Sequence, residues 1–308
     1  MKLGLLTAAF PDTPLGEVGE GASANGFECL EVACWPRAEG PSRRYAGVSH
    51  IDCAHLSGSQ AKELVDELAE RNLTISALGY YPNPLTADRE ARAAIVDHLR
   101  TLIGAAALLG VGVVNTFIGN DKDRPYDENF AEMVGVWPDL VRHAADHDVR
   151  IAIENCPMIF SADEWPGGHN LMHSPAKWRR VFDALDGVHE GTVGLNLDPS
   201  HLVWQMIDYE RVVREFGSRI YHAHAKDMEV DRNGLYEHGV LSAGIGWQVP
   251  RLPGLGEIHW DRFLAALYQV GYDGAVVVEH EDRRFEGTDD KVKAGFLLAR
   301  NAVAPFIA

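Results

Sequence analysis

Ionisable side chains close a series of short apolar runs in the second half of this sequence. Glu154 ends VRIAIE, Asp198 ends TVGLNLD, and His201 follows three residues later in DPSH. In IYHAHA the residues His222, His224 and then Lys226 alternate onto one face, with Asp227 next, and Glu279 ends AVVVE. Three carboxylates brought together without a counter-charge repel one another and lose hydration. A divalent cation removes that cost. Two glutamates, one aspartate and one histidine offer mostly oxygen with a single imidazole, a set that suits Mn2+ or Mg2+, with Co2+ and Zn2+ also compatible. The expected ligands are Glu154, Asp198, His224 and Glu279; His224 is preferred to His222 because it lies nearer the end of its run. His201 is expected to meet substrate or to support a ligand. Each residue alone has a bland explanation, a salt-bridged loop glutamate or a hydrogen-bonded core histidine. It is their recurrence at the ends of consecutive runs that points to a site.

Something must hold those ends together. Eight short runs, each rich in Val, Ile, Leu or small residues, are Lys2–Thr7, Phe27–Ala33, Leu73–Gly79, Val111–Phe117, Val149–Glu154, Thr192–Asp198, Ile220–Ala225 and Ala275–Glu279. Their length and composition fit strands buried on both faces, as in a parallel sheet. Between them lie helical patterns at Ser59–Glu70, Asp88–Leu109, Ala131–Asp146, Pro175–Leu185, Tyr209–Phe216, Asp261–Val270 and Asp289–Val303, with a weaker, glycine-rich one at Leu15–Asn25. Strand–helix repetition of this kind predicts an α/β protein with a (β/α)8 TIM barrel. A doubly wound open sheet is the alternative, but it usually carries a glycine-rich loop after its first strand, and Thr7–Pro14 has no glycine. We expect one domain over residues 1–308, with long loops at about 35–58 and 227–260 over the catalytic face. Aromatic and amide side chains near the strand ends suit a sugar, flat rings covering its C–H face and polar groups meeting hydroxyls. Trp35, His55 and Asn115 are the expected contacts from this group.

The segments IAIEN, LNLDPSH, HAHAKD and VVVEHED resemble motifs of the xylose isomerase-like barrel superfamily, in its sugar phosphate isomerase/epimerase branch. The resemblance follows element order along the whole chain, with its specific motifs in residues 150–282. It implies a metal quartet at Glu154, Asp198, His224 and Glu279, acid/base roles for Glu154 and Glu279, and a substrate-contacting His201. Gly254–Gly256 and Trp260 resemble the glycine-rich approach to the last helix. Ketose epimerases of this type often carry an arginine shortly after the strand-seven histidine, where this chain reads Ala225-Lys226-Asp227-Met228. Lys226, or Arg251 from the long loop, takes that place in our reading. The insert Glu229–Leu255 argues for a substrate bulkier than a free ketohexose, such as a keto-glycoside or an inositol derivative.

The expected activity is therefore a divalent-metal-dependent isomerase or epimerase that moves a proton through an enediolate on a ketose or keto-sugar derivative. A lyase on the same site, dehydrating an inosose or cleaving a keto-glycoside, is the alternative. Composition limits the rest. With 28 Lys plus Arg against 45 Asp plus Glu among 308 residues, the formal charge is −17. That field opposes nucleic acid, and an apurinic-site endonuclease would also need histidines on strands three and four that are missing here. No apolar run reaches the ~18 residues a membrane span requires. The four cysteines form no CxxC pair and read as free thiols. The apolar start of the chain reads as a first buried strand, Lys2–Thr7, and not a signal peptide, so a cytoplasmic protein is expected. The expected partner is a small-molecule sugar; a homo-oligomer, or a non-catalytic subunit keeping the metal for structure, is compatible with the same pattern.

Overall fold

The computed structural model describes residues 1–36, 46–159, 168–242 and 246–307. Eight parallel strands close into a barrel: β1 (Lys2–Leu6), β2 (Cys29–Ala33), β3 (Thr74–Gly79), β4 (Val113–Thr116), β5 (Arg150–Glu154), β6 (Val193–Leu197), β7 (Ile220–Ala225) and β10 (Ala275–Val278). Each strand pairs with its neighbours in sequence among these eight, and β1 closes on β10. The expected TIM barrel is what the chain forms. Strands β2, β4, β6, β7 and β10 are buried along their whole length, because helices cover them outside and side chains fill the barrel inside.

The helices that cover the barrel are α1 (Leu15–Ala24), α2 (Gly58–Glu70), α3 (Arg89–Leu109), α4 (Tyr126–Asp146), α5 (Pro175–Asp186), α6 (Ser200–Val203), α7 (Tyr209–Phe216), α9 (Trp260–Gln269) and α10 (Asp289–Val303). Their ends follow local chemistry. The Asp88 carboxylate accepts from the amides of Glu90 and Ala91 at 3.0 and 3.1 Å to start α3, and Gly110 at φ +69° ends it. Helix α4 starts five residues before the expected Ala131, because Pro125 and two acidic residues begin it and the Asn129 amide ties it to the preceding turn.

The segment expected as a long loop at 227–260 is built differently. After β7 the chain forms an antiparallel hairpin, β8 (Asp227–Val230) with β9 (Gln248–Arg251), carrying the short helix α8 (Arg232–His238) at its far end. Met228, Val230 and Trp247 pack with Trp204 beyond α6, so the hairpin has a small apolar core of its own. Asp227 anchors its base: the carboxylate is buried and accepts from the amides of Met228, Gly254 and Ile258 and from Trp260 Nε1. A Cβ on Gly256 would sit 2.2 Å from Asp227 Oδ1, which explains the glycine in LPGLGE. Of the expected loop 35–58, residues 37–45 lie outside the described residues; the remainder includes a bridge between Cys34 and Ser49. No helix among the described residues is long and apolar enough to cross a membrane.

Candidate metal centre and substrate cavity

Strand ends β5, β6, β7 and β10 meet at the carboxyl-terminal mouth of the barrel. There Glu154, Asp198, His224 and Glu279 each present an atom within 4.8 Å of the others. Asp198 and His224 are fully buried and Glu154 nearly so. His224 Nδ1 is buried without a well-formed hydrogen bond, 3.0 Å from Glu279 Oε2 and 4.0 Å from Glu154 Oε1. An orphaned imidazole nitrogen facing three carboxylates is the donor set of a divalent cation, and these residues fit one.

The Lys226 ammonium crosses the cavity side of this ring. It lies 2.8 Å from Glu279, 3.0 Å from Asp198, 3.3 Å from Glu281 and 3.8 Å from Glu154, in a side chain 2% exposed. Burial would lower its pKa, but the surrounding carboxylates hold it well above the ordinary lysine value. His201 Nε2 lies 3.2 Å from Asp198 and 3.4 Å from Glu154, with the Cys156 thiol beside the ring. The two glutamates are pushed apart. Burial, then the charge of Glu279, raises the Glu154 carboxyl. Burial acts the same way on Glu279, but Lys226 and His224 overcome it and hold that carboxyl well below the usual range. Glu154 is thus the member of the pair that more readily carries a proton.

Beneath the mouth lies a buried polar layer that sequence reasoning missed. Glu31, in the middle of the apolar run FECLEVA, is fully buried and its Oε2 lies 2.6 Å from His224 Nε2. The Tyr81 hydroxyl donates to the other Glu31 oxygen. Burial alone would raise the Glu31 carboxyl; His224, His222 and Tyr81 outweigh it and lower it. The available signal was a charged residue inside an otherwise apolar strand, since a buried carboxylate must have partners. His222 sits in the same layer at 3.0–3.1 Å from Asn196, Asn115 and Ser76, and burial lowers it to about 4.

A cavity of about 750 Å³ opens above the quartet. Trp35, His201, Lys226 and Arg251 line it, with Glu154 and Glu279 at its floor. Arg251 is held from β9 by Glu229 at 2.6 Å and Asp282 at 3.4 Å. Two expected contacts are not brought there. Asn115 is fully buried, its amide on His222 inside the barrel, because it faces the interior one layer below the cavity-lining Phe117. His55 has a side chain 83% exposed, pairs with Asp52 at 3.1 Å, and belongs to a separate shallow depression beside α2. The cavity also takes in Tyr81, Cys156, Trp204 and Glu281.

The family profile described as xylose isomerase-like TIM barrel matches residues 20–301. The chain belongs to that family. The xylose isomerase-like barrel has a relative in the uncharacterized protein YfiH of Bacillus subtilis (strain 168), 28% identical, with 92% of this chain and 93% of YfiH covered. A structure of IolI protein with a bound zinc atom superposes with a TM-score of 0.71 at 18% identity, covering all of both chains. A D-psicose 3-epimerase with D-tagatose from Clostridium cellulolyticum H10 gives 0.65 at 18% identity, covering 98% of this chain and 99% of the other. At such identities the two structures establish the fold.

Proposed function

We propose that this protein is a divalent-metal-dependent epimerase or isomerase acting on a keto-sugar or its derivative. The observation that carries the proposal is the convergence of Glu154, Asp198, His224 and Glu279, with the orphaned His224 nitrogen turned into the ring. These four residues would hold the ion, Mn2+ or Mg2+ by the oxygen-rich donor set and Zn2+ by analogy with the zinc in IolI. The bound ion supplies positive charge that stabilises negative charge developing on neighbouring substrate oxygens.

The chain's own groups supply the remainder. Glu279, held charged, removes the proton from the carbon beside the substrate carbonyl, and Glu154 on the far side of the ring, the one that more readily carries a proton, returns one. Splitting their pKa values lets one be charged while the other exchanges its proton. The Lys226 ammonium, pinned by carboxylates, donates a hydrogen bond to the oxygen that gains charge. His201, oriented by Asp198, meets a hydroxyl. Trp35 supplies a flat apolar face, and Arg251 on the hairpin reaches the end of the substrate farthest from the quartet. A cavity of about 750 Å³, walled partly by Met158, Ile159, Trp204 and Met228, has room and apolar surface for a substituent beyond one hexose ring. That wall favours a derivatised sugar over a free ketohexose.

The test is deuterium incorporation in D2O with Mn2+, across ketoses, keto-glycosides and inososes. Uptake of one deuterium with no loss of mass is the expected result. Loss of water or of an aglycone would move the reaction to the lyase class, and the absence of C–H exchange from every substrate would end the proposal.

A further inference from the structure

We infer that Glu31 is a positioning residue for His224, fixing the ring so that Nε2–H is bonded below and Nδ1 is left facing the quartet. The inference rests on reading the quartet as a metal centre. A histidine has two ring nitrogens, and only one that is free of its proton can bind a cation. Here the two are distinguished by their surroundings. Nε2 lies 2.6 Å from Glu31 Oε2, within a pair of residues both 0% exposed and away from the quartet, whereas Nδ1 faces the quartet, 3.0 Å from Glu279 Oε2 without well-formed hydrogen-bond geometry, where a cation would take the place of its proton. A carboxylate accepts and never donates, so Glu31 keeps the proton on Nε2.

Three features hold that carboxylate in place. Tyr81 donates to its other oxygen, and Asn196 in turn donates to the Tyr81 hydroxyl at 3.2 Å. Gly79 clears the space: a Cβ there would lie 2.6 Å from Glu31 Oε1. The β2–β3 register also slips between Leu30 and Glu31, where Leu30 pairs with Ile75 but Glu31 with Ala77. An irregularity of this kind re-aims the adjoining side chains, and here it sends Ser76 towards His222. A fully buried acid inside an apolar strand is costly, and neither the barrel core nor the cavity wall needs one. Orienting a ligand gives it a use: a carboxylate behind a metal-binding histidine fixes the tautomer and makes the ring a better donor.

The experiment is Mn2+ titration by calorimetry on the full-length protein, with no substrate present, for the wild type, Asp198→Asn, Glu31→Gln and Tyr81→Phe. We expect Glu31→Gln to weaken Mn2+ binding on the order of 10–100-fold with its thermal midpoint in the metal-free state little changed. Tyr81→Phe should weaken binding by about five- to tenfold, as removal of one hydrogen bond predicts, and it carries the test if Glu31→Gln does not fold. Nitrogen-15 spectra of the zinc-loaded protein give a readout that a packing role would not move. The His224 signal should show a protonated Nε2 in the wild type and a changed tautomer balance in Glu31→Gln. If Asp198→Asn loses Mn2+ while both Glu31→Gln and Tyr81→Phe bind as the wild type does, Glu31 has no positioning role and the metal centre stands. If the wild type binds no Mn2+, the reading of the quartet falls and this inference with it.

Discussion

The two halves of the barrel mouth have different compositions. From β1 to β4 the cavity wall is neutral: Leu6, Ala8, Ala33, Trp35, Gly79, Tyr81 and Phe117. From β5 to β10 it carries the charges, on Glu154, His201, Lys226, Arg251, Glu279, Glu281 and Arg283, set among apolar side chains such as Met158, Trp204 and Met228. The neutral half still reaches the chemistry, but from below, through Glu31 and Tyr81 behind His224. One half would hold charge and move protons, and the other offers only neutral surface to the cavity and steadies a ligand from below. This division follows from electrostatics. A cation site needs its anions on one side and room for substrate on the other, and charges distributed around the whole rim would leave several carboxylates unbalanced.

The sharpest way to break that comparison is to remove a proton carrier from the ionisable half. Glu154→Gln and Glu279→Gln should each lower the rate of C–H exchange by ~10²–10⁴, read as deuterium uptake by mass spectrometry. Retained exchange in both variants would mean the acid/base groups lie elsewhere. Next in size is metal removal. A ligand present at about 100 times its Kd stabilises the folded state by about 2.7 kcal/mol, so chelation should lower the thermal midpoint visibly, and Asp198→Asn should remove that response. The pH dependence has a definite sign. Burial would lower His224, but Glu31 and Glu279 hold it well above the ordinary histidine value, so in the metal-free protein it carries a proton that the cation must displace. Metal affinity should therefore fall as pH is lowered, by about tenfold per pH unit for each proton displaced. Calorimetry in buffers of different ionisation enthalpy counts those protons.

How much of this was legible in the sequence depended on where a residue stands along its strand. The barrel was legible because the eight apolar runs and the helical patterns between them are strictly alternating, and Ile220–Ala225 and Tyr209–Phe216 have the observed boundaries. The quartet was legible because an ionisable residue at the end of a buried strand has one place to go, the mouth. Depth was not legible. Asn115 and Phe117 sit two residues apart on the same face, yet one lies inside the barrel and the other at the cavity. What separates the layers is the register between neighbours, including the slips at Glu31 and Asn196, which a single strand's pattern does not encode. The hairpin after β7 is hidden in the sequence because its strands are short and its core is a cluster of Trp204, Met228, Val230 and Trp247 from separate segments.

The smallest predicted effect tests the neutral half against its own neighbourhood. Trp35 and His55 both follow β2, and both carry side chains that suit a sugar. Trp35 lines the cavity and packs edge-on against Tyr80 with ring centroids 4.9 Å apart, so its indole is held in a fixed place. His55 points to solvent and pairs with Asp52 in an exposed pair of little energetic weight. Trp35→Ala should raise KM on the order of tenfold with a smaller change in kcat, since a flat face binds the reactant and the transition state alike. His55→Ala should leave both constants within about twofold, as expected of a surface substitution away from any site. A large effect at His55 would mean that this histidine reaches the bound substrate. The neutral half would then contribute a polar group to the chemistry as well as shape.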